Sequence, residues 1–109
     1  IEKDVVAFEI KRVYYLYDIP SDAERGGHSH INQREFLIAV SGSFDVILNN
    51  SKEITTVSLN KPDKGLLINQ GIWRELNNFS SGAVCLVMSS DHFEESDYIR
   101  DFNDYLKSV

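Results

Sequence analysis

The amino-acid sequence predicts an all-β fold, a sandwich or a barrel, that ends in one short helix. The dominant hydrophobic period is two, which is typical of half-buried strands, and about seven short runs are predicted to form strands. Gly, Pro, Asn and Asp separate these runs at intervals of about 8–12 residues, the usual turn spacing of all-β domains. The 109 residues, 42% of them hydrophobic, suffice for one core. We therefore expect a single domain over residues 1–109.

The strands are predicted in chain order from these runs and the turns between them. Pro20-Ser21-Asp22 ends the first run, and Gly26-Gly27 marks a bend before the second. Asn49-Asn50-Ser51 separates two runs and predicts a hairpin. The predicted strands are 8–17, 28–40, 44–48, 54–59, 66–68, 72–76 and 83–89.

The C-terminal segment changes to helical periodicity. Ser96 is a good N-cap residue, and Asp97 would follow it in the first turn, where an acidic side chain is favoured. The apolar residues of this segment recur at helical spacing: Tyr98, Ile99, Phe102, Tyr105 and Leu106. We expect a helix over about 96–107, with its aromatic stripe packed on the domain.

Composition excludes several classes of function. With 11 Lys+Arg against 17 Asp+Glu, the formal net charge is −6, which argues against a nucleic acid or an anionic membrane as partner. The single cysteine, Cys85, excludes an intrachain disulfide, a zinc ribbon and a paired redox motif. The sequence contains neither a signal-peptide pattern nor an apolar stretch long enough for a membrane span, so we expect a cytoplasmic protein.

Two of the three histidines, His28 and His30, lie two residues apart on a predicted strand. Residues i and i+2 of a strand point to the same face, so both imidazoles should face the interior together or the solvent together. The side chain of Arg25 could reach the same end of the predicted barrel or sandwich as the two imidazoles. An exposed His-Ser-His edge is the simpler interpretation of these residues alone.

The residues that follow favour an interior site. His28-x-His30, Glu35 and Gly42 resemble the first cupin motif, HxHx4Ex6G, at every position. Residues 63–78 resemble the second cupin motif, except that Arg74 stands at its usual histidine position. This resemblance implies a small double-stranded β-barrel, or jelly roll.

The same resemblance bears on metal binding. Metal-binding cupins use the two histidines and the glutamate of the first motif together with a histidine of the second. Here the fourth position is Arg74, a fixed cation that cannot ligate a metal. We expect neither metal nor cofactor, and keep a facial triad of His28, His30 and Glu35 as the alternative.

A further resemblance is carried by the segments 12–18, 24–30, 36–44, 71–76 and 95–100 and covers almost the whole chain. In these segments the chain resembles the cupin-fold dTDP-4-oxo-6-deoxyglucose 3,4-ketoisomerases, the WxcM-like enzymes of bacterial deoxysugar biosynthesis for lipopolysaccharide O-antigen or S-layer glycans. The resemblance implies a metal-independent isomerase, typically a homodimer, acting on a dTDP-linked 4-keto-6-deoxy sugar. Many members carry Lys and Gln where this chain has Ile31 and Glu35.

The reaction runs through an enediol, so it needs a base at C3 and a proton donor at C4. Histidine accepts and donates protons near neutral pH, with an ordinary pKa of about 6.5. The resemblance assigns His30 as the main base and His28 as its partner in proton shuttling.

The remaining site residues are predicted as substrate-binding groups. Charge that builds on the enediolate oxygens calls for preorganised donors, and the candidates are Arg25, Tyr15, Tyr17 and Arg74. Tyr15 and Tyr17 share one face of the first strand. Trp73 can stack on thymine, although packing is its simpler interpretation.

Three alternatives remain open. A sugar-nucleotide 3,5-epimerase resembles this chain in its Arg-Gly-x-His block. Such domains are longer, however, and they pair the base histidine with a tyrosine that acts as the general acid. A metal-dependent cupin would rest on the His28, His30 and Glu35 triad. A non-catalytic sugar-binding cupin module would bind the ligand without turnover.

Overall fold

Two antiparallel β-sheets pack face to face in the structure, a computed structural model that describes residues 6, 8–20 and 25–109. A 3-10 turn at Glu95–Asp97 precedes the last strand, and the helix α1 (Phe102–Ser108) follows it. The strands are β1 (Arg12–Leu16), β2 (Arg25–His30), β3 (Glu35–Ser41), β4 (Phe44–Asn49), β5 (Ile54–Leu59), β6 (Gly65–Ile68), β7 (Trp73–Asn77), β8 (Val84–Ser89) and β9 (Tyr98–Ile99).

The strand order is that of a jelly roll. One sheet runs β1-β8-β3-β6 and the other β5-β4-β7-β2-β9, so most connections cross from one sheet to the other. The predicted all-β jelly roll with a short C-terminal helix is therefore confirmed. The sheets form a sandwich and do not close into the expected barrel.

The core lies between the two sheets, where inward-facing residues of both meet. Leu37 of β3 and Val46 of β4 are 2% and 0% exposed. Cys85 is also completely buried among them, and its burial raises the pKa of its thiol to about 12. The cysteine is thus an unreactive packing residue, as its apolar neighbours in the sequence indicate.

The predicted strand 28–40 is wrong in one respect, because the chain turns between β2 and β3. The amide of Ile31 donates to the backbone oxygen of Asp97. The amides of Asn32 and Gln33 donate to the carboxylate of Asp97. These three bonds take the backbone out of the sheet, and β3 then begins at Glu35 in the opposite sheet.

Two turn predictions can be compared with the structure. The β4–β5 hairpin pairs Phe44 with Leu59 and Asn49 with Ile54, so the turn at Asn49-Asn50-Ser51 is confirmed. The glycines before His28 lie inside β2, where Gly27 has φ +60° next to a β-bulge against β7. The predicted turn at Pro20-Ser21-Asp22 lies mostly outside the described residues.

The C-terminal helix is shorter than predicted, because residues 95–99 form other structure. Tyr98 and Ile99 pair with the outer edge of β2, which supplies hydrogen bonds that outweigh the helical periodicity. The helix begins at Phe102, where the side chain of Asp101 caps it by accepting from the amide of Asp104. Ser96 therefore is not the cap. None of the helices in the described ranges is long and apolar enough to cross a membrane.

Candidate active site

A cavity of about 420 Å³ opens between the sheets and extends under the segment that follows β8. Apolar residues such as Leu37 and Val87 form its floor. Its polar wall is formed by Arg12, Tyr14, His28, Glu35, Arg74 and Tyr98. A concave apolar cavity with a few converging polar groups is the usual form of a small-molecule site.

The two histidines of β2 share a face, as predicted. Their ring centroids are 4.8 Å apart, and the rings meet edge to face at 87°. His28 lies opposite Arg74 of β7, is 9% exposed and lines the cavity. His30 is fully buried behind it, and the ring of Tyr98 covers both imidazoles at 5.1 and 4.4 Å.

The ring of His30 lies between two carboxylates. Its Nδ1 is 3.1 Å from Oδ2 of Asp97, within hydrogen-bond distance. Its Nε2 is 3.6 Å from Oε1 of Glu35, which is too long for a hydrogen bond. Within the described part of the chain, Nε2 has no hydrogen-bond partner. This nitrogen therefore retains the capacity to exchange a proton.

The carboxylate of Glu35 accepts several hydrogen bonds from other residues of the site. These bonds come from Arg74 at 2.7 Å, from Ser89 at 3.1 Å and from Tyr14 at 3.1 Å. Burial by itself raises the pKa of Glu35, but the neighbouring imidazole of His30 and the guanidinium of Arg74 outweigh it and bring the pKa down to about 2. Glu35 is therefore ionised at neutral pH.

The two donors of Glu35 that line the cavity are both perturbed by burial. Desolvation lowers the pKa of Arg74, and the carboxylate of Glu35 opposes this effect. Desolvation and the charge of Glu35 raise the pKa of Tyr14 above its ordinary value of 10, which keeps its hydroxyl protonated. The cavity thus presents a buried cation and a neutral hydroxyl donor side by side.

The contacts of His28, His30 and Glu35 show whether these three residues could hold a metal ion. Ligand atoms of His28, His30 and Glu35 lie within 4.8 Å of one another. However, both oxygens of Glu35 already accept hydrogen bonds, and one of them contacts the buried guanidinium of Arg74. That cation repels a divalent ion and occupies the place of a fourth ligand. The three residues therefore do not fit a divalent metal.

The structure brings Arg74 into the site but not the predicted tyrosines. Tyr15 and Tyr17 are 57% and 65% exposed, so the expectation that they face the site is wrong. Alternation along β1 turns Tyr14 inward instead, where it meets Glu35. The side chain of Arg25 lies outside the described part of the structure, which places only its backbone, opposite Leu76.

Trp73 lies away from the cavity, and the prediction that it stacks on thymine is wrong. It is 5% exposed and packs edge to face on Phe102 at 5.3 Å and beside Tyr105 at 5.7 Å. Arg74 follows it on β7 and points to the opposite face. Trp73 therefore attaches helix α1 to the sheet.

Sequence reasoning missed other residues of the site, above all Asp97 and Tyr98. Both were assigned to the predicted helix, and Asp97 is 67 residues from the histidine that it contacts. Arg12 was also missed; its guanidinium donates to the hydroxyl of Tyr98 at 3.0 Å. In the sequence, only the alternation of β1 indicates that Arg12 belongs to the site, since it places Arg12 on the same face as Tyr14.

The fold and the site define a class of protein: a cupin-like jelly roll whose metal position is taken by a cation–carboxylate pair, beside two histidines suited to proton transfer. The family model "FdtA: WxcM-like, C-terminal" matches residues 1–109. The chain is 36% identical over 108 residues to the TDP-4-oxo-6-deoxy-alpha-D-glucose-3,4-oxoisomerase of Aneurinibacillus thermoaerophilus, a match that covers 99% of this chain and 78% of that protein.

Two solved structures are also similar. The WlaRB TDP-quinovose 3,4-ketoisomerase of Campylobacter jejuni is 47% identical with a TM-score of 0.89, over 94% of this chain and 78% of that one. The second structure is a histidine-to-asparagine mutant of the 3,4-ketoisomerase QdtA of Thermoanaerobacterium thermosaccharolyticum in complex with TDP-4-keto-6-deoxyglucose. It is 38% identical with a TM-score of 0.93, and the match covers 94% of this chain and 75% of that one. The chain belongs to the WxcM-like family of sugar 3,4-ketoisomerases and is an isomerase.

Proposed function

We propose that this protein converts a TDP-linked 4-keto-6-deoxyhexose to its 3-keto isomer. The observation that carries the proposal is the placement of two imidazoles 4.8 Å apart, of which His28 lines the cavity that also holds the Arg74–Glu35 pair and His30 lies buried beside it. The oxoisomerase and ketoisomerase relatives support the same reaction.

The isomerisation moves hydrogen without any net redox change. A base removes the proton from C3, and the electrons of that bond form the enediolate double bond between C3 and C4. The π electrons of the C4 carbonyl move to its oxygen, which gains a proton and becomes a hydroxyl. The C3 hydroxyl loses its proton and becomes the new carbonyl as a proton is added to carbon C4. The chemistry therefore needs groups that both accept and donate protons near neutral pH, which histidine does.

We assign the removal of the C3 proton to His30 and proton shuttling to His28. Among the residues that the structure describes, Nε2 of His30 has no hydrogen-bond partner, and it points toward Glu35 on the cavity wall. His30 is covered by the ring of Tyr98, so this ring must shift when the sugar enters. His28 already lies on the cavity wall and can pass protons between the oxygens.

Arg74 and Tyr14 are the donors best placed for the enediolate. Both line the cavity, and both are fixed by their hydrogen bonds to Glu35. Preorganised donors in a water-poor site stabilise developing negative charge strongly. The Nε–H of Arg74 has no partner within the described residues, so this guanidinium retains a donor for a ligand oxygen.

The ligand class is supported by the charge of the cavity wall. A protein of net charge −6 needs local cations in order to bind a nucleotide diphosphate. Arg12 and Arg100 lie at the same cavity, in addition to the buried Arg74. Arg100 is held by the exposed carboxylate of Glu95 through two hydrogen bonds of 2.9 and 3.0 Å, and a phosphate would take the place of this carboxylate.

The test is a reaction of the purified protein with TDP-4-keto-6-deoxyglucose in heavy water with a chelator, followed by NMR. We expect a 3-keto product with deuterium at C4, and loss of turnover in His30→Asn. His92→Asn is the matched control, since His92 is an exposed histidine outside the site. Binding without deuterium incorporation would instead favour a non-catalytic module, and activity lost in chelator but restored by iron or manganese would favour a metalloenzyme.

We also propose that the protein works as a homodimer. Val13 and Tyr15 of β1 are 52% and 57% exposed, and Tyr17, just after the strand, is 65% exposed. Among the described strands, β1 is an edge strand. An apolar face on an unpaired edge is removed from water when a second copy packs on it. Light scattering should give twice the chain mass, and Tyr15→Arg should give the monomer. A monomeric native protein would contradict this proposal.

A further inference from the structure

We propose that Asp97 is a positioning residue that fixes the tautomer of His30, so that Nδ1 carries the proton and Nε2 presents a lone pair to the substrate. This inference rests on the proposed role of His30 as the base. None of the comparisons assigns a role to this carboxylate, and in the sequence it reads as an acidic residue in the first turn of a helix.

The carboxylate of Asp97 is itself held rigidly. It is 6% exposed, its Oδ1 accepts from the amide of Asn32 at 2.7 Å, and its Oδ2 accepts from the amide of Gln33 at 3.2 Å. These two backbone donors fix the orientation of the carboxylate in the turn between β2 and β3. The remaining contact of Oδ2 is Nδ1 of His30, at 3.1 Å.

The protonation of the imidazole follows from the donors and acceptors available. An ionised carboxylate only accepts hydrogen bonds, so the hydrogen in the Asp97–His30 contact must belong to Nδ1. A neutral imidazole carries one N–H, which leaves a lone pair on Nε2. This is the nitrogen for which the described structure shows no hydrogen bond.

Two carboxylates also lie beside the ring that takes up the proton in the first step. When Nε2 takes a proton from the sugar, the ring becomes an imidazolium between two carboxylates, Asp97 at 3.1 Å and Glu35 at 3.6 Å. Both negative charges lie in a low-dielectric interior, where attraction between opposite charges is stronger than in water. Asp97 thus orients the base, and with Glu35 it lies beside the ring that takes up the proton.

The sharpest variant is Asp97→Asn, because it changes the hydrogen-bonding character of one atom and little else. The amide oxygen can still accept from Asn32, whereas the amide NH2 takes the place of Oδ2, loses the bond from the Gln33 amide and donates to Nδ1. The ring must then carry its proton on Nε2 and can no longer act as the base. Asp101→Asn is the matched control, since asparagine caps helix α1 as well as aspartate does.

The experiment combines long-range ¹H–¹⁵N NMR of histidine-labelled protein with steady-state kinetics. In the native protein we expect the His30 signal of the Nδ1–H tautomer. In Asp97→Asn we expect the Nε2–H tautomer, a fall in kcat of about 10²–10⁴-fold and little change in KM. Asp101→Asn should match the native protein in all three readouts.

A purely structural role for Asp97 predicts a different result. It would leave the tautomer unchanged and lower the melting temperature, with kcat reduced only in proportion to the unfolded fraction. Either an Nε2–H tautomer in the native protein or full kcat in folded Asp97→Asn would overturn the inference. Because the native tautomer is measured without substrate, it tests Asp97 even if the native protein shows no ketoisomerase activity, which would overturn the proposed function instead.

Discussion

Arg74 donates a hydrogen bond of 2.7 Å to the carboxylate of Glu35, and the two side chains are 1% and 2% exposed. Glu35 lies on β3 and Arg74 on β7, so this ion pair joins the two sheets of the sandwich at the wall of the cavity. Burying two charges costs free energy that only close pairing and further hydrogen bonds offset. Ser89 and Tyr14 supply those further bonds to the glutamate.

Removing one partner of this pair should destabilise the protein strongly. In Glu35→Gln the guanidinium of Arg74 remains buried without a counter-charge, so we expect the free energy of unfolding to fall by about 3–5 kcal/mol in urea denaturation. The double variant Glu35→Gln/Arg74→Met removes both charges and should recover much of that loss. If the two substitutions destabilise additively, the pair is not coupled and this explanation is wrong.

The same carboxylate should make stability depend on acid pH. The pKa of Glu35 is about 2 in the folded protein, below its ordinary value of 4.5. Its contribution to stability is therefore present above about pH 4.5 and is lost as the pH falls toward 2, a change of about 3 kcal/mol. Urea denaturation at pH 6, 4 and 3 should show this loss. Glu35→Gln should be flatter over this interval, and identical slopes would contradict the assignment.

Two adjacent tyrosines give a matched test of the cavity wall. Tyr14→Phe removes the hydroxyl that lies at the cavity and donates to Glu35, so we expect kcat to fall by about 10²-fold. Tyr15→Phe alters an exposed hydroxyl on the other face of β1 and should leave kcat unchanged. Steady-state kinetics on both variants, with circular dichroism as the check of folding, decides the matter. Equal effects would mean that the site does not lie on the Tyr14 face.

Much of the fold could be predicted because its signals are local. Period-two runs and the turn at Asn49-Asn50-Ser51 locate strands from neighbouring residues alone. The turn between β2 and β3 could not be found in this way, since its amides are bonded by Asp97, more than 60 residues later in the chain. The start of the helix was misplaced for a related reason. Tyr98 and Ile99 pair with the edge of β2, and no pattern in the neighbouring residues indicates that this edge is available for pairing.

The site was only partly predictable for the same physical reason. The HxH spacing places His28 and His30 on one face, and the cupin motifs bring Glu35 and Arg74 to them. Alternation alone shows that Tyr14 and Tyr15 face opposite ways but not which of them faces inward, because both are aromatic. Trp73 could not be distinguished from a ligand-stacking residue until helix α1 was seen to cover it.

Turnover should not depend on a divalent metal, because Arg74 occupies the region that a fourth ligand would need. We expect the native protein to keep full activity after dialysis against chelator and to bind no stoichiometric Co²⁺ in equilibrium dialysis. Arg74→His exchanges the cation for an imidazole opposite His28 and should create a Co²⁺ site with tetrahedral absorption bands. Stoichiometric metal in the native protein, with activity lost on its removal, would contradict this prediction.

Trp73 should contribute to stability and not to ligand affinity. Trp73→Ala removes a buried indole that packs on Phe102 and Tyr105 of helix α1, so the free energy of unfolding should fall by about 3–5 kcal/mol. Below its lowered melting temperature, KM for the TDP-sugar should remain that of the native protein, since the indole does not reach the cavity. Trp73→Phe is the control, because it retains an aromatic ring against the helix and should recover part of the stability. A large increase in KM at unchanged stability would instead place the nucleobase on this residue.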